Sequence, residues 1–106
     1  MPRFDQASPE LCLFRLDPSG TLYASGEIDL SNAHHLHDAL VAAEDPDAPT
    51  VVDMSGVSFL DSTGLRTLME YRLSGAVLTI LNPSPQVARL LQLNAVEGIF
   101  HVAHTS

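Results

Sequence analysis

The sequence contains no lysine and no tryptophan, and its only cysteine is Cys12. A lone cysteine closes no intrachain disulfide and builds no cysteine-only metal site. Set in the apolar run Leu11 to Leu16, it reads as a buried thiol. Positive charge is scarce: five arginines face 13 acidic residues, for a formal net charge of −8. That balance repels a phosphate backbone and an anionic bilayer, so neither nucleic acid nor a membrane surface is an expected partner. Its plain role is solubility. No run approaches the roughly 20 apolar residues of a membrane span, and residues 1–10 lack the apolar stretch of a signal peptide. A cytoplasmic location without membrane insertion is the expectation. Gly-x-Ser-x-Gly elbows and Walker-type phosphate loops are also absent. With 106 residues there is room for one core but not for two lobes around a cleft. No catalytic residue and no cofactor is expected.

Punctuation and periodicity divide what is present. Residues 1–10, with two prolines and three charges, read as a loose lead-in, and residues 11–106 as one domain. Leu11 to Leu16 and Thr21 to Ser25 are β-prone runs around the turn Asp17-Pro18-Ser19-Gly20, which predicts a hairpin. Gly26-Glu27-Ile28-Asp29 ends its second strand. Ala33, Leu36, Leu40 and Ala43 recur at helical spacing, predicting a helix over 31–44 capped by Ser31 and stopped by Asp45-Pro46-Asp47-Ala48-Pro49. Thr50 to Met54 reads as a strand covered on both faces, followed by a short loop from Ser55 to Leu60.

A second helix, with Leu65, Leu68, Met69 and Leu73 on its inner face, opens after Asp61 and ends at Gly75. Ala76 to Leu81 reads as a further buried strand. Ser84 and Pro85 start a third helix with Val87, Leu90 and Leu91 inward, closed near Asn94 or Gly98. Ile99 to Val102 is a last short strand. The fold class is therefore α/β: a small mixed sheet of about four to five strands flanked by helices, in the order β-β-α-β-α-β-α-β.

The segment most able to carry function is Asp61-Ser62-Thr63-Gly64-Leu65, where a strand feeds a helix. Strand ends of this kind are where α/β sheets place their sites. Ser62 stands at or beside the N-cap, and the unpaired N–H groups and dipole of a helix start stabilise an anion. A phosphate on Ser62 adds a charge of roughly −1.5 to −2. The helix tolerates it, whereas Asp29 and Asp61, if close, and a docked apolar partner are repelled. Gly64 reads either as a tolerated helix glycine or as an opening for close approach of a partner. Arg66, Thr67 and Glu70 fall on the outer side of the helix, as a solvated face or a surface read by a partner.

Taken together, Gly26-Glu27-Ile28-Asp29 and Asp61-Ser62-Thr63-Gly64-Leu65 resemble the STAS domain of bacterial anti-sigma-factor antagonists. Val51-Val52-Asp53-Met54-Ser55-Gly56-Val57 and Asn82-Pro83-Ser84-Pro85, with Val87 and Leu90-Leu91, extend the likeness over residues 11–102. The resemblance implies a regulator and not an enzyme. It implies that Ser62 is phosphorylated by a cognate anti-sigma factor that is a serine kinase; Thr63, the neighbouring hydroxyl, reads as a weaker secondary candidate. The unphosphorylated form then binds that kinase, phosphorylation releases it, and a phosphatase acting on phospho-Ser62 restores it. Asp29 is implied to lie near the phosphorylation site. Asp29, Asp61, Thr63, Gly64, Arg66, Thr67 and Glu70 make up the implied partner surface. The stretch between Gly64 and Gly75 is several residues shorter than the usual second helix of the family.

Three other readings bear on function. His34, His35 and His37, with Asp38, cluster at the predicted first helix, but lack the further ligands a metal site needs and read as a solvated face. A STAS scaffold held permanently in a larger assembly, such as a soluble subunit of a lipid-transport ATPase complex, is one alternative function. A sensor domain holding a small anionic ligand at a helix start is another. Asp61-Ser62-Thr63-Gly64 also resembles an aspartic-protease turn, but that fold is nearly all β and this chain has three helical segments.

Overall fold

A computed structural model describes residues 13–94 and 98–105. The lead-in, Leu11 and Cys12 lie outside the described residues. The hairpin consists of β1 (Leu13–Leu16) and β2 (Thr21–Ile28), paired antiparallel with Leu16 opposite Leu22. Its turn is held by one carboxylate. Asp17 Oδ1 accepts from Ser19 N at 3.0 Å, Ser19 Oγ at 2.6 Å and Thr21 N at 2.9 Å, and Gly20 supplies the positive φ of +92° that closes it.

Then follow α1 (Ala33–Ala42), β3 (Thr50–Leu60), α2 (Ser62–Leu73), β4 (Leu78–Leu81), α3 (Pro85–Leu93) and β5 (His101–Ala103). The expected element order is the observed one. One five-stranded sheet runs β1-β2-β3-β4-β5, antiparallel only at the hairpin. Each helix crosses between adjacent parallel strands in the same direction, and right-handed crossovers bring all three to one face.

Burial follows this arrangement. In one row across the sheet, Leu22, Val52 and Ile80 are paired and buried. They join Ile28, Met54, Val57 and Leu60, with Leu36, Leu40, Leu65, Leu68, Val87 and Leu91 from the helices, in a single core. The adjacent row, Arg15, Tyr23, Asp53 and Leu81, points to the other face. Thr50 to Met54 is therefore covered by helices on one face only, correcting the expectation of two.

A second correction concerns Ser55 to Leu60, which continue β3 instead of forming a loop. The reason is two register shifts against β2, between Tyr23 and Ser25 and between Gly26 and Glu27. Each shift breaks the two-residue period that makes a strand visible in a sequence. Gly56 fits there because a Cβ would stand only 3.0 Å from Ser25 Cβ.

The inner face of α2 also differs from expectation. Leu73 is 73% exposed, whereas Tyr71 is buried, its hydroxyl 2.8 Å from Thr50 Oγ1. Position 73 falls after the last turn that reaches the sheet, and Ser74 already caps the helix before Gly75, at φ +111°. At α3 the expected start is the observed one: Ser84 Oγ accepts from Val87 N, and Pro85 occupies the first turn.

Asp53 is the one buried charge among the described residues. Burial pushes its carboxyl upward, but donors from the Ser55 hydroxyl, the Ser55 N–H and the Asn82 amide outweigh it, and the result lies below the usual 3.8. A carboxyl lowered by folding contributes stability above its unfolded pKa and loses that contribution as pH falls through the folded value. The urea midpoint should therefore fall as pH drops below about 4, and it should fall less steeply for Asp53→Asn. Equal slopes for the two proteins would remove Asp53 from the acid response.

Candidate functional site

The candidate site stands at the carboxyl edge of β2 and β3. Ile28 pairs with Leu60, so Asp29 and Asp61 are the next residues on neighbouring parallel strands. Asp61 N donates to Ile28 O at 3.1 Å, which ties the two strand exits together. Asp29 is thus brought beside the motif, as the spacing alone could not show.

Each exit is organised by its own carboxylate. Asp29 Oδ accepts from Ser31 N at 2.9 Å and Ser31 Oγ at 2.6 Å, and its carbonyl accepts from Asn32 N and Ala33 N. Asn32 Oδ1 accepts from Asp29 N at 2.9 Å, while its Nδ2 donates to Glu27 O at 2.8 Å. Ser31 is therefore not the cap of α1. Its hydroxyl is drawn back onto Asp29, and the cap position belongs to Asn32, which makes no side-chain cap bond to the helix.

At the second exit Asp61 is the N-cap of α2, its Oδ1 accepting from Gly64 N at 2.9 Å. The next residue, Ser62, is exposed, and its hydroxyl has no hydrogen-bond partner among the described residues. Capping is thus done by the aspartate, and the serine is left free at the first helical position. Asp61→Ala should therefore cost about 1 kcal/mol in urea unfolding, while Ser62→Ala should stay within about 0.5 kcal/mol of wild type. A larger loss for Ser62→Ala would make the serine a structural residue.

Thr63 is half-buried, and its carbonyl accepts from Thr67 Oγ1 at 3.0 Å. Ser62, Arg66 and Glu70, at i, i+4 and i+8, are all exposed along one stripe of α2, with Thr67 half-buried beside it. Gly64 does not open the backbone to a partner. It is buried, and a Cβ there would collide with Leu60 Cδ1 and stand 3.0 Å from Ile28 Cγ2. Its small size lets the first turn of α2 lie against the ends of β2 and β3.

Two exposed apolar residues next to the strand exits escape sequence reasoning. Leu30 is 78% exposed directly after Asp29, and Phe59, paired with Glu27, is 43% exposed. Leu30 sits between polar turn residues, and Phe59 lies where the strand period is broken; an apolar side chain in a polar turn was the available signal. The α1 histidines are all exposed. The rings of His34 and His35 stand 4.0 Å apart, and His37 Nδ1 is 3.8 Å from Asp38. Among the described residues no three His, Cys, Asp or Glu are grouped to hold a metal ion, and no helix is long and apolar enough to cross a membrane.

Residues 13–101 match the family model described as Mlab, STAS domain. The chain belongs to the STAS family. Among solved structures it is similar to an anti-sigma factor antagonist from Mycobacterium paratuberculosis. That likeness has a TM-score of 0.76 at 26% identity, over 91% of this chain and 88% of that one. It shares its fold with the anti-sigma factor antagonist SpoIIAA in its unphosphorylated form, with a TM-score of 0.60 at 19% identity, over 91% and 89% of the two chains. The STAS domain here thus keeps a five-stranded sheet with three helices and places its serine motif at the start of α2.

Proposed function

We propose that the protein is an anti-sigma-factor antagonist, a protein-binding switch that docks on an anti-sigma serine kinase when unphosphorylated and is released by phosphorylation of Ser62. The observation that carries this reading is the free, exposed Ser62 hydroxyl beside an aspartate that already caps the helix. A serine relieved of capping is available as a phosphate acceptor. The helix start favours the added charge, so the domain stays folded when modified. Asp29 and Asp61, at the adjoining strand exits, and the exposed apolar Leu30 and Phe59 supply the opposite response in a docked partner. Negative charge arriving among them disfavours an apolar contact. Thr63, half-buried, is the secondary acceptor. Arg66, Thr67 and Glu70 extend the partner surface along α2, and a phosphatase acting on phospho-Ser62 resets the switch. The protein is a substrate of the kinase and no enzyme itself, and the switch operates in the cytoplasm.

The test is incubation of wild type and Ser62→Ala with a purified anti-sigma serine kinase and ATP, followed by mass mapping. Incorporation at Ser62, lost in the variant, is expected; equal incorporation in both would move the acceptor to Thr63 or elsewhere. A second reading, a permanent scaffold in a larger assembly, is favoured by the description of the matching family model, which names Mlab and not an antagonist. Under it, partner binding is indifferent to charge at position 62.

A further inference from the structure

The sheet face opposite the helices carries a polar cleft that the Ser62 switch does not use. Arg15, Tyr23 and Asp53 are paired in one row across β1, β2 and β3. Strands lie about 4.8 Å apart, so the outer two backbones of that row stand about 10 Å from each other. The Arg15 guanidinium lies over the Tyr23 ring, 4.5 Å from its centroid. Asp53, only 6% exposed, forms the opposite wall. Together with Ala24, Ser25, Ser55 and Gly56 they line an open groove of about 310 Å³, at the small end of the roughly 300–1,000 Å³ of small-molecule sites.

The charges in this cleft are opposite and do not pair. No carboxylate lies within 4 Å of the Arg15 guanidinium among the described residues. Asp53 Oδ1 is taken by the N–H and hydroxyl of Ser55, whereas among the described residues Oδ2 accepts only from Asn82 Nδ2, at 3.2 Å, so that a carboxylate with about four lone-pair sites keeps room for another donor. Its carboxyl, held below the usual range, is ionised at neutral pH. The Ser25 hydroxyl has no partner among the described residues. An anion alone would meet Asp53, a cation alone would meet Arg15, and a neutral molecule would leave both charges unanswered. A short dipolar molecule satisfies both walls at once.

We propose that this cleft binds a small zwitterion of the α-amino-acid class, its carboxylate on Arg15 and its ammonium on Asp53 and Ser25. The Tyr23 ring holds the guanidinium in place as a platform, and the exposed Gly56 leaves space for the ligand. The site stands apart from Ser62, on the other side of the sheet, and does not depend on the phosphorylation reading.

The experiment is an NMR titration of the whole protein with L-alanine and a panel of other standard amino acids, against N-acetyl-L-alanine and L-alaninamide as probes lacking one charge. The expected result is saturable shifts at residues 15, 23–25 and 53–56 for free amino acids below about 10 mM. Each singly charged probe should bind about tenfold more weakly, and so should the exposed-site variant Arg15→Gln. Absence of saturation by every amino acid, equal response to the singly charged probes, or unchanged binding by a folded Arg15→Gln would each overturn the proposal.

Discussion

Replacing Ser62 with aspartate is expected to weaken binding to the anti-sigma serine kinase on the order of 100-fold while leaving the fold intact. The size follows from placing an unpaired charge in a desolvated contact, which costs about 3 kcal/mol. The proposed docking surface contains Leu30 and Phe59, 78% and 43% exposed in the free domain, and two carboxylates at the adjoining strand exits. Stability should move the other way. An acidic residue in the first turn of α2 faces the positive end of the helix dipole and adds about 0.3–1 kcal/mol. Affinity by calorimetry and unfolding by urea are therefore expected to diverge for one substitution. Ser62→Ala, which carries no charge, should bind as wild type does. Undiminished binding by Ser62→Asp would favour the permanent scaffold.

Gly64→Val is expected to be the most damaging single change in the motif, and through packing. The added Cβ would collide with Leu60 Cδ1 and press on Ile28 Cγ2, and both residues are fully buried. A methyl at the end of a flexible chain can swing aside on a surface, but these side chains are enclosed by the core. Overpacking of this kind costs about 3 kcal/mol, and in a domain of this size that lowers Tm on the order of 10 °C. Gly64→Ala should cost less, because better helix propensity returns about 1 kcal/mol. Thermal unfolding monitored by circular dichroism separates these outcomes; an unchanged Tm for Gly64→Val would mean that α2 rides free of the strands.

The element order was legible because helices and turns announce themselves locally. Ser84 and Pro85 start α3 by their own chemistry, and Asp17 to Gly20 close the hairpin without help from the rest of the chain. What stayed hidden depends on partners distant in sequence. Ser55 to Leu60 read as a loop because their pairing with β2 slips twice. Tyr71 follows Leu68 at helical spacing, but the partner that satisfies its buried hydroxyl, Thr50, is 21 residues away and no local pattern names it. At the site, the motif around Ser62 was visible, but the division of labour within it was not. Only geometry assigns the cap to Asp61, the close packing to Gly64 and the free hydroxyl to Ser62. Ser31 shows the same limit, since a plausible cap was drawn instead to Asp29.

The most direct test of the switch is intact mass with site mapping on protein isolated from its native cell under several growth conditions. The expected result is a single phosphate on Ser62, in a fraction that changes with condition. An unmodified Ser62 under every condition, with the partner still bound, would contradict the switch and make the domain a constitutive scaffold.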